Sequence, residues 1–142
     1  MPCPYFQPHE PGSPGGASRS SMLPLGDFWS GQCRAVPATV FQPDHATQYR
    51  LCNLGYARES CDRFPGGDAP DAVRFNVSND DGDPIRIAWV IERGHLPFSH
   101  GLLAYSLESG GFLQPVPDEH LERQALAYVS SYRRRKAEAS VR

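Results

Sequence analysis

The sequence predicts an α+β protein in which an irregular, cysteine-containing first half packs on a small antiparallel β-meander with a C-terminal helix. All four cysteines lie within the first 61 residues, and residues 1–71 hold 10 of the 14 prolines and 8 of the 13 glycines. Apolar and polar residues then alternate between positions 73 and 91, which is the period of a β-strand. After position 118 the apolar residues recur at helical spacing.

The second half begins with a predicted β-hairpin. Residues 73–77 and 85–91 each place apolar side chains at every second position, and the polar, Gly/Pro-containing segment 79–84 between them is typical of a turn. Residues 94–101 are predicted to be a loop. Residues 103–107 supply a third strand, and a short fourth piece follows a Gly-Gly turn. These elements together form a three- or four-stranded antiparallel meander.

Two helices are predicted, and each begins at an aspartate that can cap it. Asp44 precedes a short helix that ends near Gly55, and Asp118 precedes the C-terminal helix. Residues 133–136 are basic and complement the dipole at the far end of the C-terminal helix. The apolar face of that helix comprises Leu121, Ala125, Leu126, Tyr128, Val129 and Tyr132.

The first half has little periodicity. Residues 7–21 predict a flexible loop, residues 22–33 an irregular segment with buried side chains, and residues 39–41 a short extended piece. A Pro-Gly-Gly stretch then marks a boundary near residue 66. We therefore predict a cysteine-containing metal-binding lobe over residues 1–66, and a sheet with a C-terminal helix over residues 67–142.

Charge and hydropathy exclude several classes of function. The formal net charge of −2 and the pI near 6.2 give no bulk attraction to nucleic acid or to anionic membranes. The longest strongly apolar run, residues 87–91, is too short to span a membrane. The N-terminus shows no pattern of a signal peptide. We expect a cytoplasmic protein, in a compartment that keeps ordinary thiols reduced.

The four cysteines are the candidate site, and we expect their thiols to converge on one centre. The chain has no Cys-x-x-Cys pair, which disfavours the paired ligands of structural zinc sites. A [4Fe–4S] cluster accepts dispersed ligands because each of its four irons takes one thiolate. Zinc, disulfides and unligated buried thiols remain as alternatives. The predicted cofactor and metal ligands are Cys3, Cys33, Cys52 and Cys61.

Aromatic and proline residues flank each cysteine. The segments Cys3-Pro4-Tyr5-Phe6 and Cys61-Asp62-Arg63-Phe64 begin and end a pattern that also contains Cys33 and Cys52. This pattern resembles a four-cysteine module near the N-terminus of uncharacterised bacterial proteins, which begins Cys-Pro-Tyr and ends Cys-x-x-Phe. The resemblance covers about the first half of the chain. It implies that the four cysteines act as a set, with iron–sulfur or zinc binding left open.

Other candidate residues form no constellation. His95 and His100 flank the predicted loop without metalloprotease spacing, and His45 could replace a cysteine as a ligand. The aspartates of segment 79–84 lack the final glutamate of a calcium loop. Residues 133–136 are better explained by the helix dipole than by nucleic-acid binding.

The sequence thus favours a small iron–sulfur protein that transfers electrons, or an iron–sulfur subunit that docks on a larger redox partner protein. The alternative is a zinc-stabilised interaction module, not itself an enzyme, that docks through the hairpin. We expect no enzymatic activity of the chain on its own, because no catalytic arrangement of residues is recognisable.

Overall fold

The structure, a computed structural model, describes residues 3–11, 25, 29–35, 41–53, 61, 70, 72–94, 96–116 and 118–140. Within them, two antiparallel sheets and a long C-terminal helix form an α+β fold, which confirms the predicted class. The elements are β1 (Phe6–Pro11), β2 (Trp29–Cys33), α1 (His45–Thr47), β3 (Ala72–Asn79), β4 (Ile85–Arg93), β5 (Leu96–Ser106), β6 (Gly111–Phe112) and α2 (Glu119–Ser140).

The larger sheet has the strand order β3-β4-β5-β6, with every neighbouring pair antiparallel. Strands β3 and β4 form the hairpin that the alternating pattern predicts. Ile85, Ile87 and Trp89 of β4 are buried, while Arg86 between them is exposed. The period-two pattern therefore identifies the face that packs on the core.

Strand β5 is longer than the sequence indicates, and the predicted loop at residues 94–101 is wrong. Residues 96–101 are the first part of β5, and the strand pairs with β4 from Leu96 to Tyr105. The local pattern misses this part for two reasons. The β4–β5 register shifts between Ile91 and Glu92, and the apolar side chain of Phe98 is 52% exposed. Backbone hydrogen bonds to β4 define this part of the strand, and the hydropathy pattern does not reveal such bonds.

The first half contains a second, two-stranded sheet that the composition does not predict. The predicted flexible loop and irregular segment are wrong where β1 pairs with β2, with Phe6 opposite Cys33 and Pro8 opposite Gly31. A two-stranded sheet consists of edge strands, and edge strands tolerate proline. A Cβ atom on Gly31 would overlap the carbonyl oxygen of Gln7, so the close approach of β1 and β2 at this position requires glycine.

Helix α1 begins as predicted at Asp44, whose Oδ1 accepts a hydrogen bond from the backbone N–H of Thr47 at 2.8 Å. The chain then continues into a π-helical segment over Gln48–Asn53, which carries Cys52. The predicted end of this helix, near Gly55, lies outside the described residues, as does most of the predicted extended piece at residues 39–41.

Helix α2 is also capped as predicted. Asp118 Oδ1 accepts hydrogen bonds from the N–H groups of His120 and Leu121 at 2.7 and 3.1 Å. The helix extends to Ser140, so the predicted position of residues 133–136 at its last turn is wrong. The predicted apolar face is buried or half-buried at Leu121, Ala125, Leu126, Tyr128, Val129 and Tyr132.

Buried side chains from both halves of the chain form one contiguous core, and α2 contacts both β1 and β3. The Tyr128 ring stacks on Phe75 at 5.5 Å, and Trp29 Nε1 donates a hydrogen bond to Ser131 Oγ at 3.0 Å. The boundary predicted near residue 66 lies outside the described residues. No described helix is both long and apolar enough to cross a membrane. The core comprises Cys3, Phe6, Leu25, Trp29, Cys52, Val73, Phe75, Ile85, Ile87, Trp89, Leu103, Tyr105, Leu121, Ala125, Ala127 and Val129.

Candidate metal centre

Cys3 and Cys52 are brought together by a backbone hydrogen bond between two distant segments. The N–H of Cys3 donates to the carbonyl oxygen of Cys52 at 3.0 Å. Cys3 lies just before β1 and Cys52 lies in the π-helical segment, and both side chains are buried at 8% and 7% exposure. Two of the four predicted ligands therefore lie side by side in the core.

Cys33 reaches the same region through the small sheet. It is the last residue of β2 and lies opposite Phe6, whose N–H donates to the carbonyl oxygen of Cys3 at 3.1 Å. Cys33 also exchanges two backbone hydrogen bonds with Phe41, at 2.6 and 3.3 Å. The side chains of Cys33 and Cys61 are half-buried, and the residues adjoining Cys61 on both sides lie outside the described part of the chain.

The pKa values of the two buried cysteines respond to the other thiols. Burial raises the pKa of Cys3 to about 12, and negative charge on Cys33 or Cys61 raises it further. Burial likewise raises the pKa of Cys52, with further increases from Cys3, Cys33, Cys61 and, on the helix start, Asp44. Charges influence one another over several ångströms inside a protein. All four cysteines are free thiols.

The Cys3 sulfur also receives backbone donors. Hydrogen bonds from the N–H groups of Tyr5 and Phe6 lower the pKa of Cys3, against the larger effect of burial. The turn Cys3-Pro4-Tyr5-Phe6 therefore directs the N–H groups of Tyr5 and Phe6 toward Cys3. Hydrogen bonds to sulfur are one of the features by which proteins set the reduction potential of a metal–thiolate centre.

The thiols do not form a preassembled ligand set in the part of the chain that the structure describes. Among the residues that the structure describes, no group of three or more Cys, His, Asp or Glu side chains is arranged to hold a metal ion. Thiolate–metal bonds are about 2.3 Å long, whereas charge interactions extend much further. The donor chemistry suits a soft metal centre, and ligation requires the thiols to move closer together. Without a cation, burial and mutual repulsion keep Cys3 and Cys52 protonated.

Buried amide side chains fix the cysteine-bearing segments, and sequence reasoning did not identify them. Gln124 of α2 is fully buried, and its Nε2 donates to the carbonyl oxygens of Cys3 and Phe6 at 2.6 and 2.8 Å. Gln124 Oε1 has no hydrogen-bond partner among the described residues. The available signal was a glutamine within the apolar face of a predicted helix, three residues after Leu121 and directly before Ala125.

Asn53, next to Cys52, joins the π-helical segment to β2. Its Oδ1 accepts from the N–H of Trp29 at 2.9 Å, and its Nδ2 donates to the carbonyl oxygens of Trp29 and Gln48 at 2.9 and 2.8 Å. Gln48 Oε1 in turn accepts from the N–H of Gly31 at 3.0 Å. These bonds complete the hydrogen bonding of buried backbone groups that no strand satisfies.

The other sequence candidates lie away from this cluster or outside the description. His100 is exposed on β5, His95 lies outside the described residues, and nothing is described of the His45 side chain. Asp80 accepts hydrogen bonds from Tyr132 Oη and Lys136 Nζ, both at 2.6 Å, so its role is to tie the hairpin turn to α2. Of the aromatic residues expected around the cysteines, Trp29 is buried and Tyr5 half-buried.

Comparison with known proteins identifies no relative. No protein-family model matches the chain, and no match is found among curated proteins or solved structures.

Proposed function

We propose that Cys3, Cys33, Cys52 and Cys61 hold a [4Fe–4S] cluster and that the protein transfers electrons, alone or as an iron–sulfur subunit of a larger redox complex. When bound, such a cluster accepts and donates single electrons. Four free thiols are consistent with a reducing compartment, and we place the protein in the cytoplasm. The proposal extends to a redox partner protein that exchanges the electron.

The observation that carries this proposal is the meeting of Cys3, Cys52 and Cys33 through backbone contacts between three separate segments. The Cys3–Cys52 hydrogen bond and the pairing of Phe6 with Cys33 fix their main chains around one part of the core. Dispersed ligands of this kind suit a cluster with one thiolate for each iron. Paired zinc ligands, by contrast, usually come from the same turn.

Assembly of the cluster site requires the half-buried cysteines, Cys33 and Cys61, to move. Cys3 and Cys52 are buried and held by the core, whereas the side chains of Cys33 and Cys61 are partly exposed. We therefore expect Cys33 and Cys61 to turn toward the buried pair when the cluster is inserted. Metal binding of this kind is coupled to folding, and the bound form should be more stable than the metal-free chain.

Anaerobic purification tests the proposal directly. The expected product is brown, absorbs near 400 nm and contains about four irons and four acid-labile sulfides per chain. The absorbance should bleach on reduction and return on reoxidation. A colourless protein with about one zinc per chain would support the zinc-stabilised interaction module instead. A protein with neither metal, and with four titratable thiols after anaerobic purification, would contradict both metal hypotheses.

Substitution of one buried ligand then tests the assignment. Cys52→Ser should lose the cluster, measured as iron content and visible absorbance, because a hydroxyl is a poor replacement for a soft thiolate ligand. The matched control is Leu51→Ala, which truncates the half-buried neighbouring side chain of the same π-helical segment and should retain full iron content. Full iron content in both variants would exclude Cys52 as a ligand.

A further inference from the structure

Among the residues that the structure describes, the outer edge of β5 is paired only near its C-terminal end. Strand β5 pairs with β4 along its length on one side, but on the other side β6 pairs only with Tyr105 and Ser106. In the described part of the chain, no strand lies beside the first eight residues of β5 on that edge. An open strand edge offers a row of backbone donors and acceptors to another strand.

The hydrogen bonds at the end of β5 show which residues face this edge. Ala104 accepts from the N–H of Leu113 at 2.9 Å, and its own N–H donates to Gln114 Oε1 at 3.1 Å. Bonding alternates along an antiparallel strand. Leu102 and His100 therefore direct their N–H and C=O groups to the open edge, as Ala104 does. The residues between them bond to β4.

Several of the side chains along this edge are large, apolar and exposed. Leu96, Phe98 and Leu102 are 69%, 52% and 64% exposed, and the Arg93 guanidinium lies 4.0 Å from the centre of the Phe98 ring. No Lys, Arg, Asp or Glu occurs in β5. Monomeric proteins commonly protect edge strands with such charges. Pro97 has no N–H group and so cannot donate a hydrogen bond to an added strand. It lies at the register shift, before His100 and Leu102.

We propose that this edge pairs with the same edge of a second copy of the chain. Antiparallel β5–β5 pairing around a two-fold axis at His100 joins the two sheets into one of eight strands. His100 then lies opposite His100 of the other copy, and Phe98 lies opposite Leu102 in both halves of the interface. Cross-strand aromatic–aliphatic pairs of this kind stabilise sheets.

Self-complementarity favours a second copy over a different protein. A two-fold interface uses the same surface twice, so the surface must match itself. The β5 edge does so because its two large apolar side chains, Phe98 and Leu102, lie at equal distances along the strand from His100, and β5 itself contains no Lys, Arg, Asp or Glu. We therefore expect a reversible, concentration-dependent dimer.

Sedimentation equilibrium over micromolar to millimolar concentration tests the dimer. Wild-type protein should show a reversible monomer–dimer equilibrium. Leu102→Lys places two charges in the apolar interface and should weaken association by at least about tenfold. His100→Pro removes an outward N–H without removing a β4 hydrogen bond and should have a similar effect, since edge strands tolerate proline. Far-UV circular dichroism establishes that both variants are folded.

The matched control is Leu107→Lys, which adds the same charge to an exposed leucine in the turn after β5. This variant should dimerise like the wild type. Hydrogen exchange on the wild type gives a readout without substitution: the amides of His100 and Leu102 should gain protection as concentration rises. A wild-type chain that stays monomeric throughout, or edge variants that associate as tightly as the control, would overturn the proposal.

Discussion

Buried side-chain amides satisfy the backbone in places where neither sheet supplies a partner. Asn53 makes three such hydrogen bonds to backbone groups, and Gln124 makes two. Both side chains are completely buried, so water cannot replace the lost bonds when they are removed. An unsatisfied buried polar group costs about 1–3 kcal/mol. These residues therefore matter more to stability than their hydropathy suggests.

Asn53→Ala should lower the free energy of unfolding by about 2–4 kcal/mol, because it leaves both backbone groups of Trp29 without a partner. Urea denaturation followed by circular dichroism measures the change. Asn76→Ala is the control, since Asn76 is exposed on β3, and it should change the free energy by less than about 0.5 kcal/mol. Equal effects of the two substitutions would contradict the role assigned to Asn53.

At the scale of elements, the turn between β3 and β4 is fastened to α2. Tyr132 Oη and Lys136 Nζ both donate to Asp80 Oδ2 at 2.6 Å. These two donors, first the Lys136 ammonium and then the Tyr132 hydroxyl, lower the pKa of Asp80. The bond to Asp80 raises the pKa of Tyr132 to about 12. The sequence places the basic residues at the end of α2, whereas the structure uses Lys136 to hold the hairpin.

The contribution of Asp80 should therefore depend on pH in a defined direction. Because its pKa is lower in the folded state, the stabilisation is present above the unfolded-state pKa of about 3.9 and decreases as pH falls through the folded value. The Tyr132 bond is also lost as pH rises through about 12, because its folded pKa is the higher one. At neutral pH, Asp80→Asn should cost up to about 1 kcal/mol.

Thermal unfolding of Asp80→Asn and wild type at several pH values checks this dependence. The two proteins should differ at pH 7, and the difference should shrink as pH falls below the unfolded-state pKa of about 3.9 and through the lower folded-state pKa of Asp80. Asp81→Asn is the matched control, because Asp81 is exposed in the same turn and forms hydrogen bonds with Asn79 within that turn. A difference that does not shrink at acid pH, or an equal effect of Asp81→Asn, would contradict the proposed bridge.

At the scale of the whole molecule, α2 connects the two halves. Gln124 holds the segment before β1, Trp29 donates to Ser131, and Tyr128 stacks on Phe75 of the larger sheet. Buried residues of both halves belong to one cluster. A shared core favours cooperative unfolding of the chain as one unit.

This cooperativity can be measured because each half contains one tryptophan. In Trp89→Phe, fluorescence reports on Trp29 in the first half, while circular dichroism at 222 nm mainly reports on α2. The two urea transitions should coincide. Adding Gln124→Ala should move both midpoints together to lower urea, whereas the control Arg123→Ala, at an exposed position of α2, should not. A Trp29 transition that precedes loss of helix would show that the first half unfolds separately.

The sequence by itself determined the elements whose signals are local. The alternation in β3 and β4, the aspartates at the starts of α1 and α2, and the apolar face of α2 all follow from side-chain periodicity and capping. These features depend on neighbours within a few residues, so the pattern of the chain contains them. Residue type and spacing likewise predict that the four cysteines form one site.

Only the tertiary structure decided the features that depend on distant partners. The pairing of β1 with β2, the full length of β5, and the hydrogen bonds of Gln124 to the Cys3 turn all join residues that no local pattern relates. The prolines of β1 and the exposed apolar side chains of β5 do not fit the alternating pattern by which a strand is recognised in a sequence. The physical reason is that a backbone hydrogen bond uses groups common to nearly every residue, so its partner is set by where the chain folds and not by which side chains it carries.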